Sequence, residues 1–215
     1  MNGLKETLPK KQLIDRFGSD VIFEESGKSD LTTIAKKTPQ AIHGVAASVW
    51  NRIVNRGWHP VNPRQFAPYF ETKSPDLYLA ISELLGVEVI RDIYYVKGWK
   101  APKRNANLVV EMLVAWVYRS DLLLWDITFI NPERPIPKMA RKFPLQTHEG
   151  LGLLPILLEN LQRKAKELSC EQVTLVAAGR DQVNLFGRYG FAVEDSDMGR
   201  FAMKVGKGIP MERDV

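Results

Sequence analysis

The chain predicts an α/β fold: a mixed sheet flanked by helices, with a helical extension at the N-terminus. Three observations carry this. Strand and helix signals alternate through the second half, Val173 to Ala178 is apolar but for Thr174 like a strand covered on both faces, and residues 1–86 show helical periodicity.

Each element has a local reason. Ile42, Val45, Ala46, Val49, Trp50, Ile53 and Val54 recur at helical spacing, with Thr38 as N-cap, Pro39 at the first helical position and Gly57 beyond the end. A shorter helix over Leu31, Ile34 and Ala35 precedes it. The pair has the silhouette of a helix-turn-helix, but two helices on one sheet face is the favoured reading, because Trp50 and the apolar stripe need burial in either case. Trp58 to Phe70 contains Pro60, Pro63 and Pro68 and reads as loop. A helix from Pro75 to Leu85 is capped by Ser74 and stopped by Gly86. Val87 to Val96 is rich in β-branched and aromatic residues, Val109 to Tyr118 fits strand or helix, and Leu122 to Ile130 reads as a buried strand. A helix from Gly152 to Leu168, the strand Val173 to Ala178 and a helix from Asp181 to Tyr189 follow. A hairpin closes the chain, pairing Phe191 to Glu194 with Phe201 to Val205 around Met198 and Gly199. Residues 1–86 form a helical region and residues 87–215 the core.

Composition narrows the class. The 215 residues are 45% hydrophobic and 26% charged, enough for a sizeable core and unlike a disordered or collagenous chain. Cys170 is the only cysteine, which excludes an internal disulfide framework and suits a reducing, cytoplasmic compartment. The N-terminus has no apolar segment of the secretory kind, and no apolar run approaches the length of a membrane span. The net charge of +5 sits in the first two thirds. Lys97, Lys100, Lys103 and Arg104 surround Trp99, and Arg134, Lys138, Arg141 and Lys142 share a proline-containing stretch. Such clusters suit phosphates or plain solvated loops.

The main chemical signal is Thr147-His148-Glu149-Gly150-Leu151-Gly152, which opens directly into an apolar helix. Glycines let a ligand approach the backbone, and the first-turn N–H groups of a helix favour an anion such as a pyrophosphate. Pro155 falls in the first turn, where its missing N–H costs little.

From Leu122 to Val205 the order of these features resembles the GNAT superfamily of acyl-CoA-dependent N-acyltransferases. Ile130-Asn131-Pro132 resembles the family's post-strand turn, Gly150-Leu151-Gly152 its pyrophosphate loop, and Phe186-Gly187-Arg188-Tyr189-Gly190-Phe191 its closing signature. The resemblance implies acetyl-CoA, or another acyl-CoA, as donor cosubstrate. It implies contacts from Thr147, His148, Gly150, Leu151 and Gly152, with Arg180, Asn184 and Phe186 near the pantetheine arm or adenosine end. It also implies that residues 1–86 shape the acceptor site. Three departures stand out. The loop's Gln/Arg position falls on Thr147, the turn-to-loop connection is lengthened by a segment carrying the second basic cluster, and the tyrosine that often protonates the CoA thiolate is replaced by Phe186. Tyr189, three residues on, is the nearest remaining phenol, at a spacing that does not simply replace it.

Direct attack by an amine on the thioester needs a base. Asp126, within an apolar strand, is the leading candidate, because burial raises a carboxyl toward useful values. His148 and Glu149, beside the loop, are alternatives. His43 and His59 lack partners at metal-ligand spacing, so no metal is expected. The acceptor is an amine of unread identity, and an anionic or nucleic-acid-linked one would suit the basic clusters. The second reading is a non-catalytic GNAT-like binding module acting on nucleic acid through Leu31 to Arg56.

Overall fold

The computed structural model describes residues 3–141 and 146–215. Its strands are β1 (Val21–Ser26), β2 (Ile90–Lys100), β3 (Leu108–Val117), β4 (Asp121–Phe129), β5 (Gln172–Ala177), β6 (Ala192–Val193) and β7 (Ile209–Asp214). They form one sheet in the order β1-β2-β3-β4-β5-β7-β6. Every pairing is antiparallel except β4 with β5, which is parallel. The helices are α1 (Lys10–Phe17), α2 (Leu31–Lys37), α3 (Pro39–Asn55), α4 (Ala67–Thr72), α5 (Leu77–Leu85), α6 (Leu154–Glu167), α7 (Arg180–Gly187) and α8 (Asp197–Val205). This is the helix-flanked mixed sheet expected from the sequence.

Both faces of the central strands are covered, which explains their largely apolar sequence. Leu113, Ala115 and Leu123 meet Val45, Val49, Trp50 and Ile53 of α3 and Ile81 of α5. Met112, Val114, Leu122 and Leu124 point the other way, into a core with Leu13 of α1 and Leu157 and Leu161 of α6. A strand buried on both faces loses its alternation, so β3 read equally as strand or helix. The favoured reading of α2 and α3 holds: Trp50 is 2% exposed, with its stripe turned to the sheet.

Three expectations are corrected. Residues 1–86 are not purely helical, because β1 pairs with β2 from Val21↔Lys100 to Ser26↔Tyr95 as the sheet edge. The stretch read as loop to Phe70 already contains α4, which tolerates Pro68 because it lies in the first turn. The hairpin partner of β6 is β7, not Phe201 to Val205. Those residues lie in α8, where Ser196 Oγ accepts the Gly199 N–H at 3.0 Å and Gly206, at φ 78°, ends the helix. Met198, Ala202 and Val205 recur at helical spacing while Phe201, Met203 and Val205 alternate as in a strand, and the cap decides between the two. Ser196→Ala is expected to cost about 1 kcal/mol, read from urea unfolding.

One buried cluster fixes α3 against the far half of the sheet. Arg52, 5% exposed, reaches Asp121 (3.0 Å), Glu194 (3.3 Å) and Glu212 (3.0 Å), and its Nη2 donates to Gln172 Oε1 at 2.6 Å. Arg56 adds a second cation on Glu212 at 2.6 Å. Burial pushes the Asp121 carboxyl up to about 6 although Arg52 pulls it down.

Candidate active site

β4 and β5 pair only from Asp121↔Gln172 to Leu124↔Leu175, yet β4 continues to Phe129 and β5 to Ala177. The β3–β4 register slips between Leu113 and Val114, leaving Trp125 as an extra residue on β4, and such a bulge bends its strand. β5 then turns away into α7, a turn held by the Ala178 N–H donating to Gln182 Oε1 at 2.7 Å. The strands splay, and the wedge between them holds a cleft of about 340 Å³ lined by Leu124, Asp126, Ile127, Ala178, Gln182 and Phe186.

Trp125 and Asp126 also belong to a second cleft, of about 790 Å³, between α3 and β4. His43 and Gly44 of α3 form part of its wall, with Lys37 and Lys73. It continues along α3 into a third space of about 270 Å³ past Ser48 and Asn51 to Arg52 and Glu194. Trp125 thus stands where all three meet. It sits there because Gly44 makes room: a β-carbon at Gly44 would lie 1.9 Å from the Trp125 ring. Asp126 keeps solvent access, yet its carboxyl is raised above the ordinary value, chiefly by partial desolvation and next by Glu111, while the Ile127 N–H pulls it back.

The glycine loop precedes α6. Leu151 is buried in the core, and its carbonyl accepts from Arg16 Nη1 at 3.2 Å, which ties the loop down. Gly152 has φ 69°, a left-handed conformation that favours glycine. A β-carbon on Gly150 would meet nothing within 4 Å, so the fold does not require a glycine there. The first α6 N–H to bond back along the helix is that of Leu157, to Leu153 at 3.0 Å, which leaves the N–H groups of Leu154 and Ile156 without an intrahelical partner. Glu149 is used locally: its carboxylate pairs with Arg134 (3.1 Å), its N–H donates to the Arg134 carbonyl, and its carbonyl accepts from Asn131 N–H. Thr147 Oγ1 contacts His148 Nδ1 at 2.9 Å, and His148 bridges back to Pro135.

The remaining predicted residues separate. Phe186 is buried in the wedge, edge-on to Phe191 at 6.0 Å. Asn184 is exposed on α7. Arg180 donates to the carbonyls of Met203 and Lys204, capping the C-terminal end of α8. Tyr189 packs half-buried against the core on the α6 side and does not line the wedge. In the first basic cluster, Lys97, Lys100 and Lys103 each pair with a carboxylate, Glu111, Glu133 and Glu24 respectively. In the second, Arg134 pairs with Glu149, and Lys142 lies outside the described residues. Among the described residues no group of three or more His, Cys, Asp or Glu is placed to hold a metal ion, and no helix is long and apolar enough to cross a membrane.

Sequence reasoning passed over Trp125, Gly44, Gln182 and the cleft face of His43. Gly44 carried a signal, since glycine inside a helix costs about 1 kcal/mol relative to alanine and therefore asks for a packing reason.

β4, the glycine loop leading into α6, then β5 and α7 follow one another in the order on which the resemblance to the GNAT superfamily rested. No family model matches the chain, and no curated protein is similar to it in sequence. Similar solved structures include nourseothricin acetyltransferase, at 15% identity and TM-score 0.34 over 57% of this chain. The match spans just under two thirds of that enzyme, 65% of its length. The IAA acetyltransferase from Bacillus cereus is 12% identical over 91% of this chain and 99% of its own, with TM-score 0.39. A GNAT family acetyltransferase from Elizabethkingia anophelis, solved with acetyl-CoA bound, is 17% identical over 64% and 82% of the two chains, with TM-score 0.34.

Proposed function

We propose that the chain is a CoA-dependent N-acyltransferase that moves an acetyl or other acyl group from acyl-CoA to an amine by direct attack. The observation that carries this is the wedge. Beyond Leu124 the β5-facing edge of β4 has no strand partner, so its backbone groups are free to hold an extended pantetheine arm and polarise a thioester carbonyl. The N–H groups without an intrahelical partner at the start of α6 suit a pyrophosphate. The donor enters from the wedge, the acceptor amine from the α3–β4 cleft, and the two meet at Trp125 and Asp126.

The test uses Gly150, whose hydrogen the fold does not need. Gly150→Phe is expected to keep the melting temperature of the parent and to weaken acetyl-CoA binding at least tenfold by calorimetry, because the ring would occupy the ligand's approach to the backbone. Undiminished acetyl-CoA affinity in the variant would overturn the loop assignment. Absence of acetyl-CoA binding by the parent would overturn the acyltransferase reading itself.

A further inference from the structure

His43 Nδ1 lies 3.0 Å from the carbonyl oxygen of Ser74. A carbonyl only accepts, so Nδ1 carries the hydrogen, and the neutral ring presents its lone pair at Nε2. Edge-on contact with Phe70, at 5.6 Å between ring centres, holds the imidazole in place. The ring is half-buried on α3 and lines the same cleft as Trp125 and Asp126. The chargeable groups lining that cleft with it come from three elements: Lys37 from α2, Lys73 from the turn after α4, and Asp126 from β4. Neither lysine forms an ion pair among the described residues, in contrast to Lys97, Lys100 and Lys103. Lys73 also adopts φ 51°, a left-handed conformation at a helix end where glycine or asparagine is the usual choice. A long cation kept in a conformation that disfavours it is a reason to look for a use of the side chain. The cleft's volume, about 790 Å³, suits a small molecule.

Resting on the acyltransferase reading, we infer that the α3–β4 cleft takes a small amine that also carries an anionic group, with His43 Nε2 receiving the ammonium proton and Lys37 and Lys73 holding the anion. The proton balance is complete. The ammonium gives one proton to Nε2 and becomes a neutral amine, and its nitrogen bonds the thioester carbonyl carbon. The carbon–sulfur bond breaks, the second amine proton ends on the CoA sulfur as thiol, and His43 returns the first to solvent.

The experiment follows CoA thiol release from acetyl-CoA with four probes: 2-aminoethyl phosphate, β-alanine, n-propylamine and putrescine. The anionic pair is expected to exceed the other two at least tenfold in kcat/KM. Lys37→Gln and Lys73→Gln should each raise KM for 2-aminoethyl phosphate about fivefold. His43→Gln should lower kcat by about 10²-fold or more and remove the acidic limb of the parent's pH–rate profile. Calorimetric acetyl-CoA affinity should be the same in all three variants. Putrescine or n-propylamine matching the anionic probes, an acidic limb retained in His43→Gln, or acetyl-CoA bound with none of the four probes turned over would each overturn this inference and leave the acyltransferase reading standing. Loss of acetyl-CoA binding by the parent would remove both.

Discussion

Replacing Arg52 with methionine is expected to lower the unfolding free energy by about 3–5 kcal/mol at pH 8, measured in urea. The size follows from what the guanidinium leaves behind. Asp121 and Glu194 have side chains only 3% and 4% exposed, Glu212 is 16% exposed, and Arg52 is the cation that touches all three. Methionine fills much of the volume but pairs with none of the carboxylates, and two buried oxygens, Asp121 Oδ2 and Glu194 Oε1, already lack a hydrogen-bond partner. The deficit should also depend on pH, with a definite sign. In the parent Asp121 is pushed up to about 6, above the ordinary carboxylate value. The folded state therefore holds the proton more tightly than the unfolded chain. Asp121's contribution to stability is complete below the unfolded value of about 3.9 and is lost as pH rises through about 6. Without Arg52, which lowers that carboxyl, protonation becomes easier still, so the deficit should be smaller at pH 5 than at pH 8. Equal deficits at the two pH values would show that packing, not charge, is what Arg52 supplies.

That cluster also marks how far the sequence is legible. α3, α5, α6 and α7 announced themselves because each carries an apolar stripe with a recognisable start or stop, and one-dimensional periodicity reports one-sided burial. The glycine loop and the α6 start were readable for the same local reason. β1 was not, since an edge strand with Glu24 and Glu25 in it has little apolar alternation to show. α8 was mistaken for half of a hairpin because four apolar residues near a glycine satisfy either period until the Ser196 cap is seen. The candidate site was legible on one side only. Gly150 to Gly152 and Asp126 lie in local motifs, whereas the α3–β4 cleft exists only because the sheet brings residues some eighty positions apart, Gly44 and Trp125, into contact. The ion pairs of Arg52 span 69 to 160 positions for the same reason and leave no local pattern at all.

Gly44→Ala is expected to destabilise the protein by about 1–3 kcal/mol, against the direction of helix propensity. An alanine inside an exposed helix normally gains about 1 kcal/mol over glycine. Here the added β-carbon would fall 1.9 Å from one Trp125 ring carbon and 2.3 Å from another, so the indole must move. Gly187→Ala is the contrast: a β-carbon there meets nothing within 4 Å, and the substitution should be neutral or mildly stabilising. The functional consequence is separable from the structural one. Because Trp125 walls the wedge and both spaces along α3, its displacement should weaken acetyl-CoA binding as well as acyl transfer, whereas a purely structural fault would lower stability alone. A double variant decides between them. Adding Trp125→Leu to Gly44→Ala removes the clash, so the pair should recover most of the lost stability in a double-mutant cycle. Acyl transfer should stay low in that variant if donor and acceptor meet at this wall as proposed. Recovery of both stability and transfer would mean that Trp125 is packing material, and that the junction of the clefts lies elsewhere on β4.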